Sequence, residues 1–120
     1  MKRYEFEQYI DLVVLPMCEK IRSSKGKNYS GQDDCLANFQ RTGEALHLDP
    51  MVVLMVFLTK HMDAIASYVS GKYLDDGEPI EFRIYDAINY LFLLLGLIQE
   101  KKNGGNNEAD IPSGQDNPEK

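Results

Sequence analysis

The chain has 120 residues, 43% of them apolar, which is enough for one compact core and too little for two. Its formal charge is −6; Glu108, Asp110, Asp116 and Glu119 against Lys120 supply −3 of that after Lys102, so −3 remains on the rest. Such mild acidity excludes a surface that grips DNA or RNA mainly through phosphates and leaves small ligands open.

Phe6, Ile10, Val13, Met17 and Ile21 recur at helical intervals and predict a first amphipathic helix over residues 3–22. Pro16 removes one backbone hydrogen bond and crowds the preceding turn, so a kink or break is expected near residues 12–15. The charges in MKRYEFEQYI interrupt what would have to be an apolar core, so no secretory signal is expected in this stretch. Cys18 and Cys35 show neither a CxxC spacing nor metal-type spacing with His47 or His61, and read as reduced thiols.

Residues 23–32, SSKGKNYSGQ, lack helical periodicity and predict a loop. With Arg22 this stretch holds three cations, Arg22, Lys25 and Lys27, beside Gly26 and Gly31. It reads either as a phosphate-accepting patch or as a solvated polar loop; the Walker spacing GxxxxGK[ST] is absent. Asp33 and Asp34 then mark a helix start that runs through Phe39 to Leu46, and their adjacency favours capping over metal binding, because neighbouring side chains on a helix diverge by about 100°.

Asp49 followed by Pro50 predicts a sharp helix start, with the helix ending near Ser70 before Gly71. It opens with the apolar block MVVLMVFL and turns polar at Lys60, His61 and Asp63. Lys60 and Asp63, three apart, can pair or share a ligand. His61 reads as a packed or surface histidine rather than a ligand.

After the turn-rich KYLDDGE, a last helix is predicted over residues 79–101. In its first half Arg83, Asp86, Asn89 and Tyr90 form one polar stripe. Its second half is apolar all round, which calls for burial in a bundle or at a subunit interface. Three other helices cannot cover Leu91 to Ile98 on every side, so a homodimer built partly on this helix is expected. The last residues, NGGNNEADIPSGQDNPEK, are too poor in apolar groups to offset their ordering entropy. The expected architecture is all-α: a four-helix bundle-like single domain over 1–102, with a disordered acidic tail over 103–120. Its longest uncharged apolar run is about half the ~20 residues that a membrane span needs, so no membrane partner is expected and the protein is placed in the cytoplasm.

A polar pocket between the third and fourth helices follows from this arrangement. If Asp86 is buried it requires Arg83, Lys60, a metal or a ligand group nearby, since an unpartnered buried carboxylate costs several kcal/mol. An internal network of Arg83, Lys60, Asp86 and Asp63 meets that requirement as well as a bound ligand does.

The segments KGKNYSG (25–31), ANF (37–39), LTKHMDAI (58–65) and EPIEFRIYDAINYLFLL (78–94) carry a resemblance. They look like the nucleotide-modification-associated helical domain of phages and prophages, whose pattern runs K-x-x-D-Y-G, N-F, a helix bearing D-K, and E-S-I-x-D-x-x-x-D-x-x-N-Y. The last segment is the most specific. The resemblance implies Lys27, Tyr29, Asn38, Lys60, Glu78, Asp86, Asn89 and Tyr90 as pocket residues, to which the polar stripe adds Arg83, and it implies work on unusual deoxynucleotides in a bacterial host cell. Asn28, Thr59 and the 82–83 region depart from it, each by the loss of an acid.

The family in turn resembles all-helical nucleotide pyrophosphohydrolases, whose ExxE and ExxD acids on two helices hold Mg²⁺; ExxD does not occur here, and ExxE occurs only as Glu78 and Glu81. If the chain is an enzyme, the resemblance implies Mg²⁺-dependent removal of pyrophosphate, with Asp86 and Asp63 as catalytic metal ligands and Lys60 and Lys27 on phosphate. The competing expectations are a non-enzymatic phage protein that blocks a host defence protein or sequesters a nucleotide signal, and a purely structural oligomer.

Overall fold

The computed structural model describes residues 1–28, 34–73 and 77–105. Among them the chain is all-α. An N-terminal rod comprises α1 (Arg3–Tyr9), a π turn (Ile10–Val14) and α2 (Leu15–Asn28); α3 (Ala37–Leu46), α4 (Pro50–Val69) and α5 (Ile80–Gly105) follow. This is the four-helix arrangement expected, with α5 at its centre: α4 and α2 both pack on it, and α3 packs on α4.

Several boundaries differ from expectation, including the start of α3, which falls at Ala37 rather than at Asp33 and Asp34. Pro16 neither breaks nor ends the first helix. It has no N–H to offer Leu12, and the backbone responds just upstream by widening into the π turn, where the Leu15 N–H donates to the Ile10 carbonyl. The rod also continues past Arg22 to Asn28, so the first part of the predicted 23–32 loop is helical. These residues are helical despite the weak propensity of SSKGKN. At the other end α5 extends to Gly105, beyond the expected limit at 102. Residues 106–120 lie outside the described residues.

Local chemistry sets the middle of the fold. The Asp49 carboxylate accepts a hydrogen bond from the Met51 N–H at 2.8 Å, and Pro50 occupies the first helical position. Asp34 accepts from the Leu36 N–H at 2.9 Å and so closes the turn before α3. The short α3–α4 connection doubles back on Gly43: the Leu48 N–H donates to its carbonyl at 2.8 Å, and a Cβ there would stand 2.5 Å from the Leu48 oxygen. His47 takes a left-handed conformation at φ 60° to make this turn.

Two apolar clusters hold the helices. In the first, Leu36, Phe39, Val53, Leu54 and Leu97 join α3, α4 and α5, with Tyr90 and Leu93 packed against them. In the second, Val14, Cys18 and Tyr85 join the rod to α5, flanked by Ile10, Ile21 and Phe82. A great deal of apolar surface stays outside both. Leu91, Phe92 and Leu95 on α5 are exposed, so this segment is not buried all round within one chain. The most apolar helix is α4: its 20 residues, at a mean hydropathy of 1.4, are enough to cross a membrane by length and composition, contrary to the expectation drawn from α5, and only 22% of it is buried.

Candidate functional site

The polar stripe on α5 turns inward and divides between two neighbours. Toward α4, Asp86 stands beside His61, with Oδ2 3.9 Å from Nδ1 and both side chains largely buried. His61 falls seven residues after Leu54 and three after Leu58, on the same buried face of α4, and its ring lies 5.3 Å from that of Tyr90. Tyr90 also meets Phe39 edge-on at 6.4 Å. The packed histidine expected from the sequence is therefore found, and the signal for its proximity to the stripe was the 54–58–61 spacing.

Toward the rod, Asn89 is buried and bridges two groups of α2. Its amide donates to the Cys18 carbonyl at 3.1 Å, and its side-chain oxygen accepts from the Arg22 guanidinium at 2.9 Å. Arg22 also lies over the Phe92 ring, 5.3 Å from its centroid. An exposed arginine is thus held by a buried amide and an aromatic face. Burial pushes the Cys18 thiol above its ordinary pKa, with nearby Arg22 opposing the shift and Asp86 adding to it. Burial likewise raises Tyr85, reinforced by its charge coupling and hydrogen bond to Tyr9, which ties α1 to α5.

Other expected site residues are not gathered there. Arg83 stands 3.6 Å from Glu78, at the N-terminal end of α5. Asn38 is exposed on α3 and accepts from Arg41 within its own helix. Lys60 and Asp63 are exposed on α4. Asp63 lies two residues past His61, about 200° round the helix, so it points away from the side that meets Asp86. The expected pairing of Asp63 with Asp86 on one metal is therefore not formed, and no cluster of three or more potential metal ligands occurs among the described residues. The backbone of Lys27 continues α2, with its side chain outside the described residues; Tyr29 lies outside them altogether.

A cleft of about 320 Å³ opens elsewhere, at the far end of α5, lined by Gln40, Asp49, Pro50, Met51, Leu97, Glu100 and Lys101. None of the sequence-predicted site residues lines it. Gln40 and Glu100 are joined across it by a 2.5 Å hydrogen bond that ties α3 to α5.

Comparison of the chain with protein-family models, with curated proteins and with solved structures finds no match.

Proposed function

We propose that the protein binds a phosphate-bearing nucleotide of the kind handled by phages, at the junction of α2 and α5. The observation that carries this reading is Arg22. A guanidinium offers five N–H donors in a fixed planar fork, suited to phosphate, and the Asn89 bond engages one of them. Asn89 and Phe92 restrict its side chain, so less entropy remains to be lost on binding. The sequence continues from Arg22 into SSKGKNYSG, which adds Lys25 and Lys27 to the same stretch. Asn89 belongs to the segment that most resembles the nucleotide-modification-associated domain, which lends independent support.

The reading stops at binding. Pyrophosphate hydrolysis of the family type needs converging carboxylates to hold Mg²⁺ and position water, and Asp86 and Asp63 stand on opposite sides of α4.

Thermal unfolding against deoxyribonucleoside triphosphates, ribonucleotides and cyclic nucleotides, with and without Mg²⁺, tests the proposal. A ligand at a hundred times its dissociation constant adds ~2.7 kcal/mol, raising the midpoint by about 4 °C or more in a domain of this size. The expected result is a shift with one nucleotide class that Arg22→Ala abolishes and Lys60→Ala preserves. Absence of any shift, or a shift that Arg22→Ala leaves intact, overturns it.

A further inference from the structure

We infer that α4 carries, beside its buried face, a self-complementary seam on which a second copy of this chain docks in antiparallel orientation. Val52, Met55, Thr59, Met62, Ala66 and Val69 follow one another at steps of three, four, three, four and three residues, and every one of them is exposed. That is the a/d pattern of a helix pair sustained over three heptads. The buried residues of the same helix, Val53, Leu54, Leu58 and His61, form a neighbouring face that borders the seam at Leu58, four residues before Met62. Thr59 adds no unsatisfied polar group to the seam, because its hydroxyl donates to the Met55 carbonyl 2.7 Å away.

The amount of apolar surface demands a partner. Twenty large hydrophobics stand exposed in the described residues, seven of them on α4 and four on α5. Stable interfaces take up roughly 20–30 residues a side, whereas soluble monomers rarely expose contiguous apolar patches beyond a few hundred Å². Six more lie on the N-terminal rod, and of α4 and α5 it is α4 that offers the larger exposed apolar set.

The order of side chains selects a second copy and its direction. In an antiparallel pair centred between Thr59 and Met62, Val52 faces Val69 of the other copy, Met55 faces Ala66, and Thr59 faces Met62. Met55 meets the smaller Ala66 and Met62 the smaller Thr59, as interdigitating layers require, while Val52 meets its equal in Val69. A parallel pair would instead set Ala66 against Ala66 and Thr59 against Thr59, leaving gaps between larger methionine layers. Antiparallel docking also brings Lys60 level with Asp63 of the other copy, within two residues of axial offset, once on each side of the two-fold axis. These two exposed charges thereby gain a role outside any nucleotide site. The same charges disfavour a bilayer as the occupant, since each costs about 2.5–3.5 kcal/mol near the middle of a spanning helix.

Sedimentation velocity of the full chain, from about 1 to 100 µM, tests the inference. A dimer is expected, with Met62→Glu raising its dissociation constant about a hundredfold or more while helical circular dichroism is retained, and Leu95→Glu on α5 leaving it intact. Disulfide trapping in a Cys35→Ser background does not depend on the Met62 variant folding. The Val52→Cys, Val69→Cys double variant should cross-link between copies, whereas Val52→Cys alone should not, because the two positions 52 stand about 25 Å apart along the pair. The inference is overturned by a monomer across the range, by a dimer that survives Met62→Glu or is lost with Leu95→Glu, or by trapping through Val52→Cys alone. It is also overturned by a monomer that co-sediments with phosphatidylcholine–phosphatidylglycerol vesicles through Met62, which would assign the seam to a lipid surface.

Discussion

The two clusters packed on α5 differ in kind. The one shared with α3 and α4 is formed by Leu36, Phe39, Val53, Leu54 and Leu97, with Leu54 fully enclosed. The one shared with the N-terminal rod is smaller and mixed: Cys18 and Tyr85 sit beside the Asn89 bridge to the Cys18 carbonyl and to Arg22. Apolar burial is non-directional and scales with area, so the first cluster supplies stability. Hydrogen bonds contribute about 1 kcal/mol net but demand one geometry, so the second fixes where α2 lies and how Arg22 is presented. The scaffold and the candidate site thus occupy different sides of one helix.

This contrast sets an order of effects. Leu54→Ala should be the most damaging change, costing about 2–5 kcal/mol through lost burial and the cavity left behind, and lowering the midpoint of thermal unfolding by roughly 10 °C or more. Asn89→Ala should cost less, about 1–3 kcal/mol, because it strips partners from the Cys18 carbonyl and from Arg22. Its signature is local: amide exchange should accelerate in α2 while the α3–α4 amides keep their protection. If Asn89→Ala accelerates exchange equally in α4, the two clusters behave as one cooperative unit and the distinction fails.

The smallest effect is on alkaline stability, and it should come from the second cluster alone. Cys18 and Tyr85 both have folded-state pKa values raised chiefly by burial. Below their unfolded values, near ~8.5 for a thiol and ~10 for a phenol, both are protonated in either state and the stability associated with them is fully present. As pH rises through that range the unfolded chain ionises first, so stability falls. Urea midpoints should hold steady from about pH 7 to 8 and decline above, and Cys18→Ala should flatten the first part of the decline. A curve unchanged by Cys18→Ala would place the titrating groups elsewhere.

Much of the fold was legible because its signals are local. Apolar spacing marks α4 and α5 through covalent geometry within a turn or two, and the Asp49–Pro50 start is found as read. The α2 boundary was missed because SSKGKN has weak helical propensity and no apolar periodicity of its own. Pro16 disturbs the helix just upstream, close to the expected place, but a proline announces only a lost hydrogen bond, not that the chain answers with a π turn.

The candidate site was legible only as a list of polar residues on one helix. Asn89 meets Cys18 and Arg22 across 71 and 67 positions of sequence, and Asp86 meets His61 on a different helix. Such partners are chosen by how helices pack, which no i, i+4 spacing encodes. The amino-acid order therefore decided which segments are helical and which faces can be apolar. Tertiary packing decided which of the two apolar faces of α4 became core, which carboxylate went inside, and that Arg22 rather than Lys60 stands at the stripe, because burying one face of a helix necessarily leaves another to solvent or to a partner.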